Sequence, residues 1–278
     1  MRQYLSLVQE ILENGEKHED RSSVGNISIF GVMRKYDLRD GFPLVTTKKV
    51  NFRNVIAELL WFLKGSTNIN NGLKQYTSIW DPWADPTGEL GPIYGYQWRK
   101  WEGFKWDDRT ATYQKSHIDQ IAHIVEVIKI LATGQNHPEA RRLIVSAWNV
   151  ADIPKMALPP CHAFFQFRVS KGRLDLILYQ RSADVAIGVP YNIASYAALL
   201  AIMAQETGLT AGVFTHMMGD AHIRSLNHIP GLQEQLSRQP YPLPSLKIIP
   251  KPMAELTVDD IILENYQCHP FIKFEVNI

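Results

Sequence analysis

Met156-Ala157-Leu158-Pro159-Pro160-Cys161-His162-Ala163-Phe164-Phe165-Gln166-Phe167 decides how the rest of this chain is read. Cys161 is one of only two cysteines and directly follows two prolines. The prolines fix the backbone and remove two donors. The residues after His162 alternate apolar and polar, as a half-buried strand does. A thiol is therefore expected at a rigid loop-to-strand junction. Further on, Gln180-Arg181-Ser182-Ala183-Asp184 follows a second alternating run, Leu174, Leu176 and Leu178. A hairpin across Ser170-Lys171-Gly172 would bring Arg181 near the sulfur. A nearby guanidinium favours the thiolate, which is the nucleophilic form. A lone cysteine is ordinarily a small buried hydrophobe; the proline pair, His162 and Arg181 set this one apart.

Outward from this hairpin, helical and strand patterns mix without strict alternation, which points to an α+β fold. Residues 3–14 read as a helix with Tyr4, Val8, Ile11 and Leu12 on one face and Gly15 as its stop. Residues 16–26 read as a polar loop, Ile27–Leu38 as one or two strands, and Gly41-Phe42-Pro43 as a turn. Helices are expected over Asn54–Lys64 and Ile118–Ala132, and a strand over Leu143–Trp148. The polar stretch 102–116 reads as an exposed insertion. A helix opening at Asn192 and ending at Gly208 carries Ala194, Ala197, Ala198, Ala201 and Ala204; such small residues suit a central buried helix. A strand, a helix over about 223–237 and a Pro-rich segment over 240–252 follow.

The chain has 278 residues, a formal net charge of +1, and 45% hydrophobic and 21% charged residues. These values fit a soluble enzyme of one domain, 1–278. No apolar run is long enough to span a bilayer. Two cysteines make no disulfide framework, which favours a reducing, cytoplasmic setting. Near-zero charge without a basic block argues against binding nucleic acid through its phosphates.

Other candidates stand beside their ordinary readings. Glu58 sits in an apolar helical stretch, Ala57-Glu58-Leu59-Leu60-Trp61; it is either an exposed position or a carboxyl raised by burial and usable in proton transfer. Arg21, Arg141, Arg142 and Arg181 are solvated charges taken singly, but together are forks suited to phosphate oxygens. Ser182 adds a hydroxyl. Asn192 after Pro190 reads as an N-cap, or as a carboxamide matched to a pyrimidine edge. Asp220 in Gly219-Asp220-Ala221-His222 reads as a helix start.

The chain resembles the thymidylate synthase family. The strings that carry the resemblance run in order along nearly the whole chain: Asp37 to Lys48, Glu58 to Leu63, Ile79-Trp80-Asp81 with Trp83-Ala84-Asp85, and Gly91 to Gly95. Arg141-Arg142, Met156 to His162, Tyr179 to Val185, Gly188 to Tyr196 and Gly219 to His222 follow. The resemblance implies a thymidylate synthase-like mixed sheet with a central buried helix. It also implies a homodimer with shared active sites, methylenetetrahydrofolate as co-substrate, and no metal. By similarity, Cys161 attacks carbon 6 of a pyrimidine nucleotide, and the activated carbon 5 attacks the folate methylene. Glu58 handles protons and Tyr94 assists loss of the carbon 5 proton. Arg21, Arg181 and Ser182 hold the phosphate, with Arg141 and Arg142 from the second subunit. Asn192 reads the base and His222 the sugar hydroxyl. Asp184 anchors the pterin and also counts with the catalytic set. Ile79, Trp80, Trp83, Gly188 and Tyr191 line the folate side, Lys48 meets the glutamate tail, and Ile278 closes the site.

The family's usual His-Ile-Tyr or His-Leu-Tyr string reads His222-Ile223-Arg224-Ser225-Leu226 here, with one extra residue before Asn227-His228. The loop after Arg21 and the C-terminal Asn277 also depart. Arg224 is donor-only and cannot copy a phenol that both gives and accepts. Reductive methylation of dUMP to dTMP is the first reading. A pyrimidine nucleotide hydroxymethylase acting on dUMP, UMP or CMP is the second, and an RNA-binding regulator the third.

Overall fold

A helix that is apolar around its whole circumference has to be buried on every side. Gly188–Glu206 is such a helix, and it lies at the centre of the molecule with Ile193, Ala197, Leu200 and Met203 fully enclosed. The computed structural model describes residues 1–18 and 25–275. In chain order the elements are α1 (Arg2–Asn14), β1 (Glu16–His18), β2 (Asn26–Asp37), α2 (Phe52–Leu63) and α3 (Tyr94–Lys100). Then come β3 (Trp101–Asp107), β4 (Thr112–Ile118), α4 (Gln120–Ala132), β5 (Ile144–Ser146), β6 (His162–Ser170) and β7 (Arg173–Asp184). The buried helix is α5, followed by β8 (Thr210–Ile223), α6 (Ile229–Ser237), β9 (Ser245–Ile248) and β10 (Ile261–Glu264).

Six strands form one sheet in the order β1-β2-β8-β7-β6-β5. It is mixed: β7 and β8 run parallel, and the other neighbours are antiparallel. The parallel pair requires a crossover connection, and α5 is that crossover, packed back on β7 and β8. The inner face carries Phe165, Phe167, Leu174, Leu176, Leu178 and Phe214, all buried. The outer face carries Phe164, Ile177 and Met217, each 39% exposed. The α+β class with a mixed sheet and a buried central helix is therefore as the sequence implied.

The β6–β7 hairpin closes as its sequence suggests. Ser170 pairs with Arg173, and the two turn residues Lys171 and Gly172 have φ of 51° and 73°. Two consecutive left-handed residues make the tight turn whose twist matches the strands. The register shifts between His162 and Phe164, leaving Ala163 as a bulge beside Cys161. Its carbonyl accepts from the amides of Ala147 and Trp148. A bulge re-aims the chain locally, and here it turns the cysteine loop off the end of β6.

Several local expectations are corrected. The 16–26 loop contains strand β1, paired with β2 through Glu16 and Ser28. The stretch 102–116 is largely exposed, as expected, and forms the hairpin of β3 and β4, in which Trp106 and Tyr113 are cross-strand partners with ring centroids 5.1 Å apart. Aromatic pairs of this kind hold a two-stranded ribbon together, a signal masked by the charged residues between them. Asn192 does not open the helix. The helix begins at Gly188, because Pro190 is tolerated in a first turn whose amides lack partners anyway. No helix starts at 223, and Asp220 is not a helix start. Pairing with β2 and β7 extends β8 through Ile223, and α6 begins at Ile229 after a 3₁₀ turn over Leu226–His228. The Pro-rich segment contains β9, which pairs with β10.

Gly95 is fixed by contact. A β-carbon there would lie 2.5 Å from the Phe62 carbonyl oxygen, which is backbone and cannot yield cheaply. The missing side chain lets α3 lie against α2, and so sets Tyr94 beside Phe62 at 4.9 Å between centroids. Gly95→Ala is expected to destabilise the fold by about 1–3 kcal/mol, with Ala's better helix propensity offsetting roughly 1 kcal/mol. Scanning calorimetry should show the midpoint falling by several degrees; an unchanged midpoint would contradict this close approach.

Candidate functional site

The cysteine loop is held from two sides. The Arg181 amide donates to the Cys161 carbonyl at 2.8 Å. The Arg181 guanidinium donates to the carbonyls of Pro160 at 2.8 Å and Pro159 at 3.1 Å. Neither proline has an amide to offer, so the loop's carbonyls are what remain to be bound. Two of the five guanidinium N–H groups are thus spent on the loop, which leaves three for other partners. The guanidinium also lies over the Trp148 ring, 5.2 Å from its centre. On the opposite side the Cys161 amide donates to the Tyr94 hydroxyl at 2.8 Å.

Burial pushes the Cys161 thiol above its ordinary pKa, against the downward pull of Arg181, Tyr94 and Arg224. The guanidinium does favour the thiolate, as expected, but desolvation of the charged form outweighs it in the protein alone.

Glu58, on α2, is linked to Tyr94 through Trp80. Its Oε1 accepts from the Trp80 indole N–H at 2.7 Å. Burial lifts its pKa to about 7, with the Trp80 hydrogen bond opposing the rise. A carboxyl that exchanges its proton near neutrality suits general acid–base work. Trp80 is buried in an aromatic wall with Trp61, Phe62, Trp83 and Tyr94. Burial also raises Tyr94 well above its ordinary pKa, and the neighbouring Cys161 adds to this.

Asp184 ends β7. Its Oδ1 accepts from the amides of Ala186 and Ile187, both at 3.0 Å, at the entrance to α5. Its other oxygen has no partner among the described residues. Gly188 lies between Asp184 and Asn192; a β-carbon there would stand 3.4 Å from the Asn192 oxygen. Asn192 Oδ1 accepts from Gln180 Nε2 at 3.1 Å, which leaves its amino group uncommitted. Ser182 stands beside Asp220 across β7 and β8, and His222 beside Asp184. His222 Nδ1 is 2.9 Å from Asp220 Oδ1.

The folate-side residues divide. Trp80 is buried, Trp83 and Tyr191 are half-buried, and Ile79 is 46% exposed. Lys48 is buried in a loop with no regular structure. Tyr266 ties that loop by donating to the Val45 carbonyl at 2.7 Å, and Gln235 ties it by donating to the Thr47 hydroxyl at 2.9 Å. The Lys48 ammonium donates to the Ala186 carbonyl and lies over Phe274, 4.5 Å from the ring centre. Burial lowers its pKa to about 8, with Asp184 opposing. Arg141 and Arg142 are exposed just before edge strand β5. Arg21 and Ile278 lie outside the described residues.

Contacts join Cys161 to Tyr94 and Arg181, Tyr94 to Trp80, Trp80 to Glu58, and Asn192 to Gln180 beside Arg181, which links side chains from α2, α3, β7, α5 and two loops. The chain matches the thymidylate synthase family model over residues 2–278. It belongs to the thymidylate synthase family. Members of this family transfer a one-carbon unit from methylenetetrahydrofolate to carbon 5 of a pyrimidine nucleotide. Trp148 and Gln180 carry no functional signal of their own in the sequence, whereas His162 is marked by its place directly after Cys161. His162 is buried against Tyr94 and Tyr196, and burial takes its pKa down to about 4. No helix among the described residues is long and apolar enough to cross a membrane.

The raised Glu58 pKa has a consequence for stability. Between the unfolded value of 4.5 and the folded value of about 7, the native state holds the extra proton. Stability contributed by this group is therefore present below about 4.5 and lost as pH rises toward 7. Glu58→Gln keeps an acceptor for Trp80 but cannot ionise. Denaturant titration should find it more stable than wild type at pH 8 by about 1–3 kcal/mol, with the gap closing by pH 4.5. A gap independent of pH would mean that Glu58 ionises normally.

Proposed function

We propose that this protein reductively methylates dUMP to dTMP, with methylenetetrahydrofolate as the one-carbon donor and dihydrofolate as co-product. The observation that carries this reading is Asn192. Its oxygen is engaged by Gln180, which leaves its amino group free to donate to a ligand. A donor at that place matches the carbonyl on carbon 4 of uracil and opposes the amine of cytosine. The buried wall around Trp80 supports methylation over water capture, since exclusion of water protects a reactive intermediate.

In this reading Cys161 Sγ attacks carbon 6 and Arg181 holds both the cysteine loop and the nucleotide phosphate. Ser182 adds a donor there, with Arg21 from the same chain and Arg141 and Arg142 from a second subunit. Glu58 exchanges protons on the base through water, and the Tyr94 hydroxyl receives the carbon 5 proton by way of water. His222, oriented by Asp220, donates to the sugar. The free oxygen of Asp184 fits a pterin N–H, and the aromatic wall fits its ring. Methylenetetrahydrofolate, when bound there, supplies the methylene and the reducing hydride. Ile79, Trp83, Gly188 and Tyr191 border that side, Lys48 serves its carboxylates, and Ile278 closes over it. The homodimer is supported by the outer sheet face, where Phe164 stacks on Tyr179 at 5.4 Å and Ile177 and Met217 lie exposed. Apolar patches of this kind on a sheet usually mark an interface.

One observation favours the second reading, hydroxymethyl transfer. Arg224 replaces the family's tyrosine, is exposed, and bears electrostatically on Cys161. A looser nucleotide pocket at this strand end would admit water. Mass spectrometry of products from dUMP, UMP, dCMP and CMP, each with methylenetetrahydrofolate, decides between them. dTMP from dUMP is expected; a hydroxymethyl product, or faster turnover of a cytosine nucleotide, would overturn the proposal. Cys161→Ser is expected to lose turnover by several orders of magnitude while still binding dUMP, so near-normal rates would remove Cys161 as nucleophile. Mixing Arg142→Glu chains with Cys161→Ala chains should restore activity in hybrid dimers, whereas no recovery after proven subunit exchange would exclude shared sites.

A further inference from the structure

We infer that His216 is a positioning residue: by donating to Gln180 it fixes which end of the Asn192 amide faces the nucleotide. The inference rests on the proposed role of Asn192 as the group that reads the base.

The orientation follows from one backbone carbonyl. Gln180 Nε2 lies 2.9 Å from the Ser182 carbonyl oxygen. A carbonyl only accepts, so the nitrogen of the Gln180 amide has to be the atom that faces it. The Gln180 oxygen then faces the other way, where His216 Nε2 stands at 2.8 Å. That oxygen only accepts, so His216 has to carry its proton on Nε2. Its Nδ1 is correspondingly bare, and it has no partner among the described residues. The second Gln180 N–H goes to Asn192 Oδ1 at 3.1 Å. Each member thus has only one orientation in which donors meet acceptors, and the last link turns the Asn192 amino group away from Gln180.

The relay is built into the fold. His216 pairs with Leu178 across the parallel strands β7 and β8, so Gln180, two residues on, lies diagonally opposite on the same inner face. His216 is fully buried and Gln180 is 2% exposed. Phe214 stacks on the His216 ring with centroids 5.6 Å apart, which fixes the ring plane. Burial, with His162 adding to it, lowers the His216 pKa to about 3, so the ring stays neutral and keeps one tautomer through the working range. Polar links in so dry a place are hard to exchange for water, and loss of one leaves its partner unsatisfied. Without the His216 donor, Gln180 is free to turn, and Asn192 with it.

The test is equilibrium binding of dUMP and of dCMP to the full-length protein by calorimetry. Wild type should prefer dUMP. His216→Phe keeps a ring against Phe214 but has no donor, and its preference for dUMP over dCMP should fall at least tenfold. His216→Gln restores an N–H donor and should recover most of the preference. A folded His216→Phe protein whose preference stays within twofold of wild type would overturn the relay, and leave the reading of Asn192 intact. No preference in wild type would overturn the reading of Asn192 and the relay together. Should His216→Phe fail to fold, the tautomer can be read in wild type from ¹⁵N-histidine long-range NMR spectra. An Nε2-protonated ring supports the relay, and an Nδ1-protonated ring refutes it.

Discussion

The contact between the Arg181 guanidinium and the carbonyls of Pro159 and Pro160 organises the candidate site. A double proline is stiff but supplies no amides, so on its own it would leave two carbonyls without partners. Arg181 satisfies both and in the same act fixes where Cys161 stands. The arginine is itself fixed by the end of β7, and β7 by its parallel pairing with β8 beneath α5. Core packing is thereby converted into the position of one sulfur atom. The Ala163 bulge and the Tyr94 hydroxyl complete the frame from the other side.

Burial works against charge at several points in this frame. Cys161 is raised although a guanidinium lies beside it, Glu58 is raised to about 7, and Lys48 is lowered to about 8. Each is held with its ionised form disfavoured, and for Glu58 and Lys48 this lowers the stability of the protein at neutral pH. The cluster is thus primed rather than relaxed. A bound dianionic nucleotide and the exclusion of remaining water would change all three groups together.

Much of the fold was legible in the sequence because the signals were local. The alternation around Ser170-Lys171-Gly172 gave the hairpin, the small-residue run gave the central helix, and the ends of α1, α2 and α4 came within a few residues. What failed depended on partners distant in sequence. Strand β8 continues through His222 because β2 and β7 hold it there, and β9 exists because β10, with Ile261 opposite Ile248, pairs with it. The site behaved in the same way. Cys161, Arg181 and Glu58 stand out by composition, whereas Gln180 and His216 are ordinary letters in apolar strands. Their polar pairing is visible only once the sheet is assembled. That Arg181 would serve the loop backbone as well as an anion could not be read from a string of residues either.

The two-residue turn at Lys171-Gly172 also bears on how the site comes into being. Cys161 and Arg181 are 20 residues apart and are brought together by a hairpin closed at its tightest. The entropic cost of loop closure rises only slowly with length but favours short connections, and local contacts tend to form early. The thiol and its arginine can therefore meet on a folding timescale set by one hairpin. Glu58 and Trp80 join the cysteine loop through Tyr94, which needs distant parts of the chain to dock. The cysteine's cradle is in this sense a local structure, whereas the aromatic wall around Trp80 draws on distant parts of the chain.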